Sequence, residues 1–321
     1  MTELAPLKFH PYLKSVLWGG DNICDYKGID STVNNVGESW EVSAVPDHES
    51  VVSEGDFAGR SLTEMINIFG ESLLGKEVYE KYNGKFPLLV KFIDASENLS
   101  VQVHPDDELA AQRHNSMGKT EMWYIIKSEE NAKIYSGLNR RLTPDEYVTH
   151  VNNKTFASVI AEHSSNPGDV FFIPAGRVQA IGAGNMLLEI QQSSDVTYRI
   201  YDYDRKDADG NCRELHTELA KDAIDYELYS DYKYQAPSED DKNCNIVSCN
   251  HFITNRLLLE GEMTFYNDGS SFMILICIDG EVDVEFGNGN IFMEKGSTIL
   301  IPASLSCFEL KGNATLISTK C

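Results

Sequence analysis

Several features are missing from this sequence, and each absence narrows the field. No stretch approaches the ~20 consecutive apolar residues of a bilayer-spanning helix. The opening MTELAPLKFHPYLK lacks the basic-then-apolar pattern of a secretory leader. The cysteines (Cys24, Cys212, Cys244, Cys249, Cys277, Cys307 and Cys321) are odd in number and form no CxxC pair. They read as reduced thiols of a cytoplasmic protein rather than a disulfide framework. Basic residues are scarce: 27 Lys and Arg stand against 50 Asp and Glu, for a formal net charge of −23. Such a surface repels phosphate backbones, which argues against nucleic acid as a partner. A small anionic substrate would need a local basic pocket. Oligomeric state is not written in these features.

What is present is mostly strand. FPLLVKFID (86–94), LSVQVH (99–104), EMWYIIK (121–127), VFFIP (170–174) and MLLEIQQ (186–192) carry branched and aromatic residues and end at turn formers. Capping boxes predict two helices, one from Ser61/Glu64 towards Tyr82 and one from Thr143/Glu146 with Pro144 at its first position. A third helix is expected across 213–229, and a short helical turn after His104. The polar stretch QAPSEDDKN (235–243) is the best linker, dividing the chain into residues 1–234 and a small all-strand unit, 235–321. PGDVFFIPAGRVQAI (167–181) echoes EKGSTILIPASLSCFEL (294–310), a pattern typical of late strands in double-sheet jelly rolls. The expected fold is mainly β with added helices: two jelly rolls, helices inserted in and around the first.

One set of residues carries chemistry. Gln102 and His104 lie two apart on a strand and so share a face. Lys119 and Glu121 repeat that spacing at the start of another strand, and Gln179 in RVQAIGAG offers an amide from a third. Imidazole, carboxylate and amide oxygen converging inside a roll suit zinc or another first-row divalent ion with a position open to substrate. The tract EIQQSSDVTYRIYDYDR (189–205) is too polar for a strand buried by default, unless it is an exposed edge. His48, His114, His150 and His163 are expected on the surface or in loops.

QVHPDDELA, GKTEMWY and AIGAGNMLLEIQQSSDVTYRIYDYDR resemble the type I mannose-6-phosphate isomerases in their short bacterial form. PYLKSVLWGG, GESWEVSAVPDHES and FPLLVKFIDASENLSVQVHPDD resemble them too, so the likeness runs through most of the chain. The resemblance implies two cupin-type jelly rolls (double-stranded β-helices), the second without metal ligands. It implies one zinc ion per chain and interconversion of mannose 6-phosphate and fructose 6-phosphate through an enediol(ate). Carried over by position, the metal ligands are His104, Glu121, Gln102 and, where the family has a histidine, Gln179. The family's active-site arginine falls on Arg199, and Lys119 lies in a family motif. The expected catalytic residues are Arg199, Lys119 and Glu189, and the expected substrate-binding residues are Arg199, Lys119 and Asp195. The general base stays open among Glu189, Asp195, Lys119 and a metal-bound hydroxide. Because an amide oxygen is a weaker zinc donor than imidazole, Gln179 implies loosened zinc. It also raises an alternative: an impaired family member that binds sugar phosphate. A cupin with other sugar chemistry, an epimerase or an oxygenase, is the third reading, and an oxygenase usually wants two histidines.

Overall fold

The computed structural model describes residues 4–206, 209–234, 242–287 and 289–321. The chain opens with β1 (Leu7–His10), β2 (Tyr12–Ser15), α1 (Asn22–Lys27), β3 (Val36–Val42) and β4 (Val51–Val52). Three short helices follow: α2 (Leu62–Phe69), α3 (Glu71–Leu74) and α4 (Lys76–Lys81). Then come β5 (Leu88–Ala95), β6 (Val101–Val103), α5 (Asp107–His114), β7 (Glu121–Ser128), β8 (Lys133–Leu138) and α6 (Pro144–Asn152). The first half closes with β9 (Ile160–Ser164), β10 (Val170–Ile173), β11 (Gln179–Ile181), β12 (Asn185–Gln192), β13 (Tyr198–Tyr201) and α7 (Thr217–Ala223). The rest is strand: β14 (Asn243–Ser248), β15 (Ile253–Tyr266), β16 (Met273–Phe286), β17 (Gly289–Glu294), β18 (Thr298–Ile301) and β19 (Cys307–Lys320).

Two sheets build the first roll, in the orders β10-β7-β12-β5-β3-β2 and β13-β6-β11-β8-β9. Strand alternation decides what each face holds. In β5, Leu88, Val90 and Phe92 point out of the roll, where they join helix residues Leu62, Met65 and Leu74 and, from the second unit, Ile274, Ile276 and Ile317. Their neighbours Ile93, Trp123, Ile125 and Leu187 point inward and meet Ile134 and Ile181 of the five-stranded sheet. The outer face of that second sheet (Val101, Val103, Val178, Tyr198) packs on Tyr147 of α6 and Ala220 of α7. Every strand of the central trio β7-β12-β5 is therefore covered on both faces. That is why these segments read as near-continuous apolar runs.

The second unit is one sheet, β14-β15-β19-β16-β18-β1-β4, with β17 on β16, curled around a core that includes Leu257, Leu275, Val284 and Phe308. Its member β1 comes from the start of the chain and pairs with β18 through Leu7↔Leu300. The first strand therefore staples the two rolls together. The two echoed segments take the same course, strand to Pro-Ala turn to strand, in β10–β11 and β18–β19.

Both capping boxes form. The helix expected from Ser61 to Tyr82 is instead three helices. Gly75 turns at φ 88°, and a Cβ there would lie 2.3 Å from the Ser270 carbonyl oxygen, so the chain must bend against the second roll. The turn after His104 is longer than expected, an eight-residue helix capped by Asp106. The helix expected across 213–229 shrinks to Thr217–Ala223, because residues 214 and 216 bond Arg199 instead. The proposed linker lies outside the described residues over 235–241, and β14 begins at Asn243. All seven cysteines are free thiols. Among the described residues no helix is long and apolar enough to cross a membrane.

Candidate active site

The polar inward residues of the two sheets face one another. On the six-stranded sheet, Glu121 lies opposite Gln191 and Trp123 opposite Glu189, which lies opposite Lys91 on its other side. On the five-stranded sheet the register is Arg199↔Gln102↔Gln179, with His104 two residues beyond Gln102. Sequence-expected residues from five separate segments thus meet in one place.

His104, Glu121 and Gln179 form its floor. All three are at most 1% exposed. His104 Nε2 lies 3.7 Å from Glu121 Oε2. Its Nδ1 is 2.9 Å from the Val196 carbonyl oxygen, which can only accept, so Nδ1 carries the proton and the Nε2 lone pair faces the site. Burial and the Lys119 ammonium hold the imidazole far below its usual pKa, so it is neutral. Burial, then the Glu189 carboxylate, push Glu121 up to about 7, while Lys119, Gln179 and Lys91 pull the other way. Lys119 Nζ is 3.4 Å from Glu121 Oε2. Gln179 sits against Glu121 closely enough to hold its pKa down, yet neither amide atom completes a hydrogen bond of good geometry.

His104 Nε2, both Glu121 oxygens and both Gln179 amide atoms are buried without a hydrogen-bond partner, although Oε2 of Glu121 lies in the field of the Lys119 ammonium. Burying so many unpaired polar atoms costs ~1–3 kcal/mol each. A group that accepts the lone pairs of the imidazole nitrogen, the carboxylate oxygens and the amide oxygen at once removes most of that cost, and a divalent cation is such a group. Among the described residues no three His, Cys, Asp or Glu side chains gather. The donor set is one imidazole, one carboxylate and one amide, with Gln102 opposite Gln179.

Beside this floor opens a cavity of about 520 Å³, lined among others by Gln102, Lys119, Glu189, Asp195 and Arg199. Arg199 is half-buried. It donates from Nη1 to the Glu214 carbonyl, while its buried Nε has no partner. Burial and the neighbouring Arg213 lower its pKa. Asp195 is exposed at the rim. Glu189 is held between the Lys91 ammonium at 3.0 Å and Trp123 Nε1 at 3.2 Å. The polar tract 189–205 is therefore not a solvated edge at its start: β12 is central, and Glu189 and Gln191 are buried.

Sequence reasoning missed Lys91, Glu38, Trp40, Lys14, Arg213 and His216, all on the cavity wall. His48 is in a loop as expected, but it lines the cavity too, stacked on Tyr12 with 4.5 Å between ring centroids. The signal for Lys91 was available: a lysine in the middle of PLLVKFI, in phase with Leu89 and Ile93, is a cation destined for an interior. Glu38 pairs with Lys91 at 3.7 Å and Lys14 at 3.3 Å and accepts from Trp40 Nε1. Although burial opposes it, Lys91, Lys14 and Trp40 lower its carboxyl to about 2.

Two family models match the chain. Residues 7–133 match "Phosphomannose isomerase type I, catalytic domain", and residues 242–320 match "Mannose-6-phosphate isomerase, cupin domain". The chain is 35% identical to mannose-6-phosphate isomerase ManA of Bacillus subtilis (strain 168), covering 97% of this chain and 98% of that one. It is 30% identical to the mannose-6-phosphate isomerase of Streptococcus mutans, covering 98% of each. The crystal structure of mannose 6-phosphate isomerase from Bacillus subtilis superposes with a TM-score of 0.89 at 32% identity, over 98% of this chain and 99% of that one. With cupin rolls, both matched regions and near-complete coverage, the chain belongs to the type I phosphomannose isomerase family.

Proposed function

We propose that this chain interconverts mannose 6-phosphate and fructose 6-phosphate. The observation that carries the reading is the buried donor set His104–Glu121–Gln179, short of hydrogen bonds, beside a cavity walled by Lys14, Lys91, Lys119, Arg199 and Arg213. Cations are scarce in a chain of net charge −23, so the five on this wall, against the three carboxylates Glu38, Glu189 and Asp195, make a local anion site in a repelling field. His104, Glu121 and Gln179, with Gln102, are the residues that would hold a divalent cation such as zinc. Such an ion supplies a Lewis acid that polarises a carbonyl oxygen. Seven free thiols support a reducing, cytoplasmic location.

The isomerisation moves one proton between C1 and C2 and a second between their two oxygens, and needs groups to carry them. Glu189 is clamped by Lys91 and Trp123, which orients its carboxylate toward the cavity. Lys119 is buried beside Glu121 and faces the same space. These two are the proton-moving groups of the reading. Arg199 offers a planar fork to paired oxygens, on the phosphate or on the enediolate. Family membership gives no support to the impaired alternative. An oxygenase would want a second histidine that this floor does not contain.

A coupled assay of mannose 6-phosphate turnover tests the proposal. Free mannose at the same concentration should be turned over at least ~100-fold more slowly, since remote phosphate binding energy serves the chemical step. Equal turnover of the free sugar would remove the anion-site argument. Arg199→Lys keeps the charge and loses the fork. It should lower kcat/KM by about 100-fold, the scale of one preorganised charge-stabilising donor, with unfolding temperature unchanged. Parental kinetics in that variant would take Arg199 out of the reaction centre.

A further inference from the structure

We propose that Ser136 and Gln179 work as a pair: the Ser136 hydroxyl accepts from the Gln179 amide nitrogen and so turns Oε1 toward His104 and Glu121. The result is an oxygen-rich cation site with a reduced preference for zinc. This deepens the metal-dependent reading above and rests on it.

In β13-β6-β11-β8 the register reads Arg199↔Gln102↔Gln179↔Ser136, four polar residues in one row on the inward face. Directly opposed residues in an antiparallel pair hold their Cβ atoms ~4.5–5.5 Å apart, within reach of a side-chain hydrogen bond. Ser136 and Gln179 are both completely buried. Ser136 Oγ has no partner, and neither has Gln179 Nε2 or Oε1. A core hydroxyl facing a core amide, both unpaired, is an arrangement that packing alone would not favour.

An amide has two unlike ends. Without an ion the amide nitrogen is the end that lowers the Glu121 pKa. To serve a cation the amide must turn so that Oε1 faces His104 Nε2 and Glu121, and Nε2 must then find an acceptor elsewhere, because a buried unpaired donor is costly. Glu121 is the other acceptor near Gln179, but a carboxylate that binds a cation has its lone pairs engaged. Ser136 lies across the strand pair with free lone pairs, so it fixes which end of the amide looks inward. The donors become one nitrogen (His104) and oxygens from Glu121 and Gln179. Zinc gains most from imidazole and thiolate, whereas carboxylate and carbonyl oxygens suit manganese and magnesium. Replacing a second imidazole by an amide therefore shifts selectivity as well as affinity.

The test uses the full chain stripped with a chelator and titrated calorimetrically with Zn²⁺ alone or Mn²⁺ alone. The parent should bind one ion. Gln179→His should raise the ratio of zinc to manganese affinity at least ~10-fold, on the scale of ligand-shell changes. Ser136→Ala should weaken both ions about 10-fold, while its metal-free form melts no lower than the parent. Ser136→Thr, which keeps the hydroxyl, should restore binding. Should the histidine variant misfold, Gln179→Met, close in shape and without an oxygen, should lose at least ~10-fold in affinity for both ions. The pair is overturned by a parent that binds neither ion, by a zinc-to-manganese ratio indifferent to position 179, by parental binding in Ser136→Ala, or by Ser136→Thr failing like Ser136→Ala. None of these measurements reads turnover. Metal binding as described in a chain that does not isomerise mannose 6-phosphate supports the pair and sinks the functional reading. Turnover with binding indifferent to residues 136 and 179 does the reverse.

Discussion

Replacing Glu121 by glutamine should cut kcat/KM for mannose 6-phosphate by at least ~1,000-fold and leave the chain unable to retain a divalent ion through dialysis. Glu121 is the one formal negative charge on the site's floor. Its partners there are a neutral imidazole, a neutral amide and the Lys119 ammonium 3.4 Å away. Removing one preorganised charge-stabilising group costs ~100–1,000-fold, and here the same change also loosens the group that would polarise the carbonyl. Glutamine is nearly isosteric, so the loss is one of charge rather than shape. The metal-free variant should be more stable than the metal-free parent. The Glu121 pKa is raised from 4.5 to about 7 in the fold. Its contribution to stability is therefore fully present below pH 4.5 and lost as pH rises through 7. Glutamine escapes that loss, so the variant should melt about 2–5 °C higher than the metal-free parent at pH 8 and alike at pH 4. An inactive protein that melts higher cannot be dismissed as misfolded. Parental turnover with parental metal content would show that Glu121 is not at the reaction centre.

The same residue shows what sequence alone could reach. Period-2 spacing singled out the pairs Gln102/His104 and Lys119/Glu121, since residues two apart share a face, and the motif RVQAIGAG singled out Gln179. The five-stranded sheet sets Gln102 opposite Gln179, while Glu121 comes from β7 of the facing six-stranded sheet. Ser136 was not legible. A lone serine in KIYSGL carries no signal until the pairing of β8 with β11 sets it across from Gln179. The helix predicted across 213–229 failed for a related reason. Its composition is helical, but the backbone of His216 bonds the Arg199 carbonyl and its ring accepts from the Arg199 amide, so tertiary bonds overrule local propensity. Strand existence survived translation to structure because each run is buried on two faces. Helix length did not, because Gly70 and Gly75 break the run from 61 to 82 where it must follow the second roll.

Lys91→Met should lower global stability by about 3–5 kcal/mol at pH 7, the cost of stripping the counterion from buried charges. The side chain is only 9% exposed. Its ammonium lies 3.0 Å from Glu189 and 3.7 Å from Glu38, and 5.2 Å from the ring centroid of Trp40. Methionine fills nearly the same volume, so cavity formation contributes little. Glu189 is then left with Trp123 Nε1 as its polar partner, and Glu38 with Lys14 and the Trp40 indole. The pH dependence separates this account from a packing defect. Glu38 titrates at about 2 in the fold against 4.5 unfolded. Its contribution is thus present above pH 4.5 and lost as pH falls through 2. The attraction of Glu189 and Glu38 raises the Lys91 pKa, against the pull of burial. That contribution is present below its ordinary value of 10.5 and lost as pH rises through the folded value. The gap in melting temperature between parent and Lys91→Met should therefore be widest from about pH 4.5 to 10.5 and should narrow towards pH 3, as the unpaired carboxylates take up protons. Adding Glu189→Gln to Lys91→Met should recover roughly 1–3 kcal/mol, since the two sites are in contact and do not add independently. A gap that stays constant from pH 3 to pH 8, or a double variant no more stable than Lys91→Met, would mean that Lys91 supports the fold through its aliphatic stem on Trp40 and not through its charge.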